Sequence, residues 1–88
     1  MGIKLLKFGA TWCQPCKILD PIIEQVKKEK ENVIYETYDS EKDPEVFSQY
    51  RVTSVPTMIF LDGDTEKERI VGAVAKGKII SIIDKYTI

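Results

Sequence analysis

The chain has 88 residues, 43% of them hydrophobic and 31% charged, and its formal net charge is −1. That describes one globular domain, read over residues 1–88, long enough to bury a core without metals or several disulfides. Lysine and arginine form no block, so neither nucleic acid nor an anionic membrane is an expected partner. No apolar run approaches the ~20 residues of a membrane span. The start, Met1-Gly2-Ile3-Lys4-Leu5-Leu6-Lys7, is broken by lysines and lacks the apolar stretch of a signal peptide. Gly2 is followed by Leu at position 6, which argues against myristoylation. The expected address is therefore the cytosol, where a disulfide is usually transient and catalytic.

Ile3 to Phe8 reads as a strand. Leu5, Leu6 and Phe8 put apolar groups on both faces, as a central strand covered on both sides requires. Lys7 breaks that pattern. After Gly9-Ala10-Thr11 comes Trp12-Cys13-Gln14-Pro15-Cys16-Lys17, which holds both cysteines of the chain. A C-x-x-C between a strand and a helix reads as a dithiol/disulfide redox pair. At a helix N-terminus the unpaired N–H groups and the positive dipole end stabilise a thiolate. Cys13 is expected at that end, partly exposed, as the nucleophile. Cys16, one turn on, is placed to attack a mixed disulfide on Cys13 and release product. Pro15 suits the first helical turn.

Three other readings of the pair stay open. Two buried structural thiols are one. Half of a zinc site is another, but the chain has no histidine and no second cysteine pair to supply four ligands. A stabilising staple is the third, though so short a loop is worth only ~2 kcal/mol.

From Cys13 to about Lys30 the periodicity is helical. Ile18, Leu19, Ile22, Ile23 and Val26 define an apolar stripe taken as core. Pro21 inside it removes a bond to the carbonyl of Lys17 and predicts a kink. Val33 to Asp39 alternates as a second strand. Strand, helix and strand make a βαβ unit with parallel strands. Asp43-Pro44-Glu45 is a helix start, with Val46, Phe47 and Tyr50 inward. Thr57 to Leu61 is a third strand, Asp62-Gly63-Asp64 a turn, and Glu66 to Val71 a more polar fourth strand at an edge, antiparallel to the third. Ala75 to about Tyr86 is a last helix with Ile79, Ile80, Ile83 and Tyr86 as its core stripe. Ala75 offers no capping hydroxyl there. The order β-α-β-α-β-β-α implies an α/β fold: a four-stranded mixed sheet, first strand central, helices on both faces. The cysteines then sit at the C-terminal end of the first strand, where such sheets place their sites.

Trp12-Cys13-Gln14-Pro15-Cys16-Lys17 resembles the W-C-G-P-C-K site of thioredoxins. Pro21 matches that family's helix proline, Val55-Pro56-Thr57 looks like its cis-proline loop, and Val71-Gly72-Ala73-Val74-Ala75-Lys76-Gly77 is similar to its V-G-A-x-x-K-G segment. The resemblance runs from Ile3 to the end and implies a minimal thioredoxin fold, without the family's extra N-terminal strand and helix. It implies a protein-disulfide reductase whose only redox group is the Cys13–Cys16 disulfide, with no cofactor and no metal. It implies that Pro56 is cis and beside the disulfide, that Val55 offers its backbone to an extended peptide, and that Trp12, Val55, Pro56, Gly72, Ala73 and Val74 form a substrate ledge. Protein disulfides are the implied partners, with an external donor, a thioredoxin reductase, for a monomeric enzyme.

This chain departs from the pattern at Gln14, where the family has glycine, and at Lys7, where it has a buried acid. Lys7 is read in two ways: lying near Cys16 and favouring its thiolate, or packing its stem and carrying its amine out to water. Two rival functions remain, a glutaredoxin-like enzyme using glutathione and a protein-binding module with incidental redox chemistry.

Overall fold

The computed structural model describes residues 2–87. Its elements are β1 (Ile3–Gly9), α1 (Gln14–Glu29), β2 (Ile34–Asp39), α2 (Pro44–Gln49), β3 (Thr57–Asp62), β4 (Thr65–Val71) and α3 (Lys76–Tyr86). The strands form one sheet in the order β2-β1-β3-β4. β1 is parallel to β2 and antiparallel to β3, and β3 is antiparallel to β4. This is the mixed sheet expected from the sequence, with β1 inside it.

Strand alternation divides the core in two. Ile3 and Leu5 of β1, with Met58 and Phe60 of β3, face α1 and α3 through Leu19, Ile23, Val26, Ile79, Ile82 and Ile83. Leu6 and Phe8, with Ile59 and Leu61, face the other way, against Val46 and Phe47 of α2 and the following Tyr50. Two ion pairs, Lys30–Asp84 at 2.6 Å and Lys76–Glu29, tie the end of α1 to α3.

Several expectations are corrected. Ile18 is 63% exposed and no part of the core. The buried positions of α1 are Cys16, Leu19, Ile23 and Val26, and Ile18 falls beside exposed Lys17, off that line. Ile22 is only half-buried at its margin. In α3 the buried set is Ile79, Ile82 and Ile83. Ile80 and Tyr86 flank it, because α3 turns the 79–82–83 side to α1 and the sheet. Asp43 is the N-cap residue of α2, but its side chain makes no cap bond. Its carboxylate instead accepts from the backbone N–H of Asp39 at 2.9 Å, fastening the end of β2.

Two tyrosines on β2 carry a testable consequence. The Tyr35 hydroxyl donates to the carbonyl of Lys30 at 2.9 Å, and burial pushes its pKa up to about 12. Tyr38 donates to Glu36 at 2.5 Å. That bond, more than burial, also pushes it up to about 12. Both folded values lie above the ordinary ~10, so their contribution is complete below pH ~10 and is lost as pH rises toward 12. Phenolate absorbance should show two of the four tyrosines ionising late. Replacing Tyr35 and Tyr38 with phenylalanine should flatten the alkaline fall in unfolding free energy measured in urea.

Candidate active site

The site is built where β1 ends and α1 begins. Residues 10–13 form the connection, and the Cys13 N–H closes it on the carbonyl of Ala10 at 3.2 Å. Cys13 is the N-cap of α1 in extended backbone conformation, with Pro15 in the first turn. Its Sγ accepts from the Cys16 N–H at 3.2 Å, one of the donors a helix leaves unpaired at its start. The two cysteines are joined as a disulfide across a Cα–Cα distance of 5.3 Å. α1 then runs unbroken through Pro21 to Glu29.

Cys13 is not the partly exposed residue expected from the sequence. It is 3% exposed and Cys16 2%. The disulfide draws both sulfurs together, and Ala10 and Val55 pack over them. What separates the two is direction. Cys13 lies at the helix mouth between exposed Trp12 and Gln14, whereas the Cys16 sulfur is turned back onto β1. A Cβ added to Gly9 would stand 3.4 Å from Cys16 Sγ.

The other named residues are distributed as follows. Trp12 is 69% exposed. With Phe47, Val52, Thr53, Ser54 and Val55 it lines a groove of about 390 Å³. The Val55–Pro56 peptide is cis, and the Pro56 carbonyl accepts from the Gly72 N–H at 2.7 Å. Gly72 has φ +99°, a backbone conformation that favours glycine, while the space where a Cβ would stand is open, so it is the backbone and not crowding that suits glycine there. Ala73 is exposed next to it, while Val74 packs against the α1–α3 side of the core. The structure thus brings Trp12 and Val55 to one groove and Gly72 to Pro56. Neither Gly72 nor Ala73 lines that groove.

A family profile described as Thioredoxin matches residues 2–85. The chain belongs to the thioredoxin family. It is 38% identical over 85 residues to the thioredoxin of Chlamydia trachomatis, covering 97% of this chain and 83% of that one. It is 37% identical over 86 residues to the chloroplastic M-type thioredoxin of Zea mays, covering 93% of this chain but only 50% of that one. Among solved structures, Fasciola hepatica thioredoxin superposes with a TM-score of 0.91 at 29% identity, over 98% of this chain and 82% of that one. The fold is the thioredoxin fold, and the Cys13–Cys16 pair is the redox group of a thiol–disulfide oxidoreductase.

Within this thioredoxin frame, Lys7 occupies a buried position, 7% exposed. Its side chain is 9% exposed. It donates to the carboxylate of Asp20 on α1. Asp20 was not singled out by the sequence reading. The signal was present: a lysine between Leu6 and Phe8 in a central strand needs a counter-charge from whatever covers it, and α1 covers that face. Lys7, Asp20 and Cys16 together line a cleft of about 350 Å³, with Lys17, Tyr38 and Asp39 on its rim. Among the described residues no group of three His, Cys, Asp or Glu side chains could hold a metal ion.

Proposed function

We propose that this thioredoxin reduces protein disulfides, with Cys13 as the attacking sulfur and Cys16 as the resolving one. The observation that carries the reading is the position of Cys13. It caps α1, and its Sγ accepts the Cys16 N–H at 3.2 Å. A thiolate at that atom gains a charge-assisted bond and the positive end of a 16-residue helix. A substrate strand enters along the groove between Trp12 and Val55. Reduced Cys13 attacks a substrate sulfur, forming a mixed disulfide and expelling one substrate thiolate. Cys16 then attacks Cys13 Sγ, freeing the second substrate thiolate and restoring the Cys13–Cys16 disulfide.

An external dithiol system, a thioredoxin reductase rather than glutathione, returns the two electrons. A pair that cycles in this way suits a reducing compartment such as the cytosol. Insulin reduction, driven in parallel by thioredoxin reductase with NADPH and by glutathione with glutathione reductase, tests the reading. Turnover with the first donor and little with the second is expected. The reverse preference would make the protein a glutaredoxin in function, and no turnover with either would refute reductase activity.

A further inference from the structure

Among the described residues Lys7 is the one charged side chain in the interior. Strand alternation puts it on the same face of β1 as Ile3 and Leu5, beneath α1. Its only hydrogen-bond partner there is Asp20, whose side chain is 54% exposed. Asp20 lies four residues after Cys16, one turn along the same side of α1. A Cβ on Gly9 would stand 3.4 Å from Cys16 Sγ and 3.6 Å from Lys7 Nζ, so ammonium and sulfur flank one glycine and are at most about 7 Å apart.

We infer that the Lys7–Asp20 pair governs how readily Cys16 becomes a thiolate, Lys7 favouring the charged sulfur and Asp20 restraining that effect. This rests on the resolving role given to Cys16 above. Lys7 and Asp20 are positioning residues: neither touches the reacting bond, and both act through the field at the Cys16 sulfur. In the resolving step the Cys16 thiol gives its proton to water in the cleft. The thiolate attacks Cys13 Sγ, the Cys13–Cys16 bond forms, and the bond from Cys13 to substrate breaks. The substrate sulfur leaves with the electron pair and takes a proton from water. Across the cycle the enzyme dithiol loses two electrons and the substrate disulfide gains them.

The signs follow from the geometry. Removing Lys7 takes away the nearby cation and leaves the Asp20 carboxylate unopposed, which disfavours a second negative charge. Removing the Asp20 charge leaves the ammonium unopposed, which favours one. The other charged or titratable groups around the pair are Lys17 on α1 and Tyr38 and Asp39 on β2 at this cleft, and Glu24 and Lys27 of α1 at the adjoining cleft that Lys7 and Asp20 also line, and they are the same in every variant. A unit charge about 7 Å away, at an effective dielectric of ~20 and lessened by water on the Asp20 side, amounts to on the order of one pH unit, a tenfold change in the thiolate-to-thiol ratio.

The test is a thiolate absorbance titration in a Cys13→Ser background, where Cys16 is the only thiol. Lys7→Met should raise the Cys16 midpoint by about one unit, and Asp20→Asn should lower it by a smaller amount. Shifts of the same sign, or an unmoved midpoint in either variant, overturn the inference. Asp20 is at the surface, so if Lys7→Met does not fold, Asp20→Asn decides alone: a lowered midpoint supports the inference, and an unmoved or raised one defeats it. The titration uses no substrate. A parent protein that fails to reduce insulin would remove the proposed function and leave the titration result standing.

Discussion

Cys16→Ser should turn this thioredoxin from a turnover catalyst into a trap. Cys13 still attacks a substrate disulfide, but the mixed disulfide has no resolving sulfur at the end of a 5.3 Å Cα–Cα span. Release then depends on a thiol arriving from solution. Well-oriented intramolecular attack corresponds to effective concentrations of ~10⁵ M or more, against millimolar external dithiol. Loss of turnover by at least ~100-fold at limiting dithiothreitol is therefore a conservative expectation. The adduct should be visible by intact mass under non-reducing conditions. Cys13→Ser should lose turnover to the same extent and form no adduct, because the remaining sulfur is turned onto β1 beneath Gly9. Exposure alone does not give this order, since the two residues are 3% and 2% exposed. The helix cap and the direction of the sulfurs do. An adduct on the Cys13→Ser protein and none on Cys16→Ser would reverse the assignment.

Much of the fold was legible because its signals are local. The apolar runs of β1 and β3, the turn at Gly63 and the proline after Asp43 each act within a few residues. C-x-x-C at a strand-to-helix junction likewise contains its own geometry. What was not legible depends on contacts distant in sequence. Cys13 is covered because Val55, over forty positions later, packs on the disulfide. Ile18 drops out of the stripe expected on α1, and on α3 Ile82 takes the buried place expected for Ile80, because an isoleucine-rich helix offers more than one plausible stripe. The surface it meets chooses among them. Asp20 looked like one more polar residue on the outer side of α1. Its role as counter-ion emerges only when β1 is laid under the helix and the amine of Lys7 needs a partner.

The second face of the sheet should prove the more fragile one, and Phe8→Ala should show it. Phe8 is fully buried. Its ring lies 5.0 Å edge-on from Phe47, 5.9 Å from Tyr50 and 5.4 Å from Tyr38. Only a six-residue helix, α2, and the segment after it cover this side, and no residue of α2 is itself fully buried. Phe8 is thus the anchor that α2 packs on. Truncating a buried phenylalanine to alanine costs ~3–5 kcal/mol, a large share of the ~5–15 kcal/mol that holds a domain folded. At ~4–8 °C per kcal/mol for a domain of this size, the melting temperature should fall by on the order of 20 °C. Phe8→Leu, which keeps most of the volume, should cost less than half as much in a urea titration. Because Phe47 also lines the groove beside Trp12 and Val55, the damage should reach the site. Amide exchange in α2 should accelerate more than in α3, and KM for a protein disulfide should rise. Ile79→Ala, on the α1–α3 side, should cost a comparable amount of stability through the other cluster. It should leave KM near its parent value. If Phe8→Ala loses less than ~1 kcal/mol, the α2 face is not packed on Phe8. If both variants raise KM equally, the groove is not held by that face.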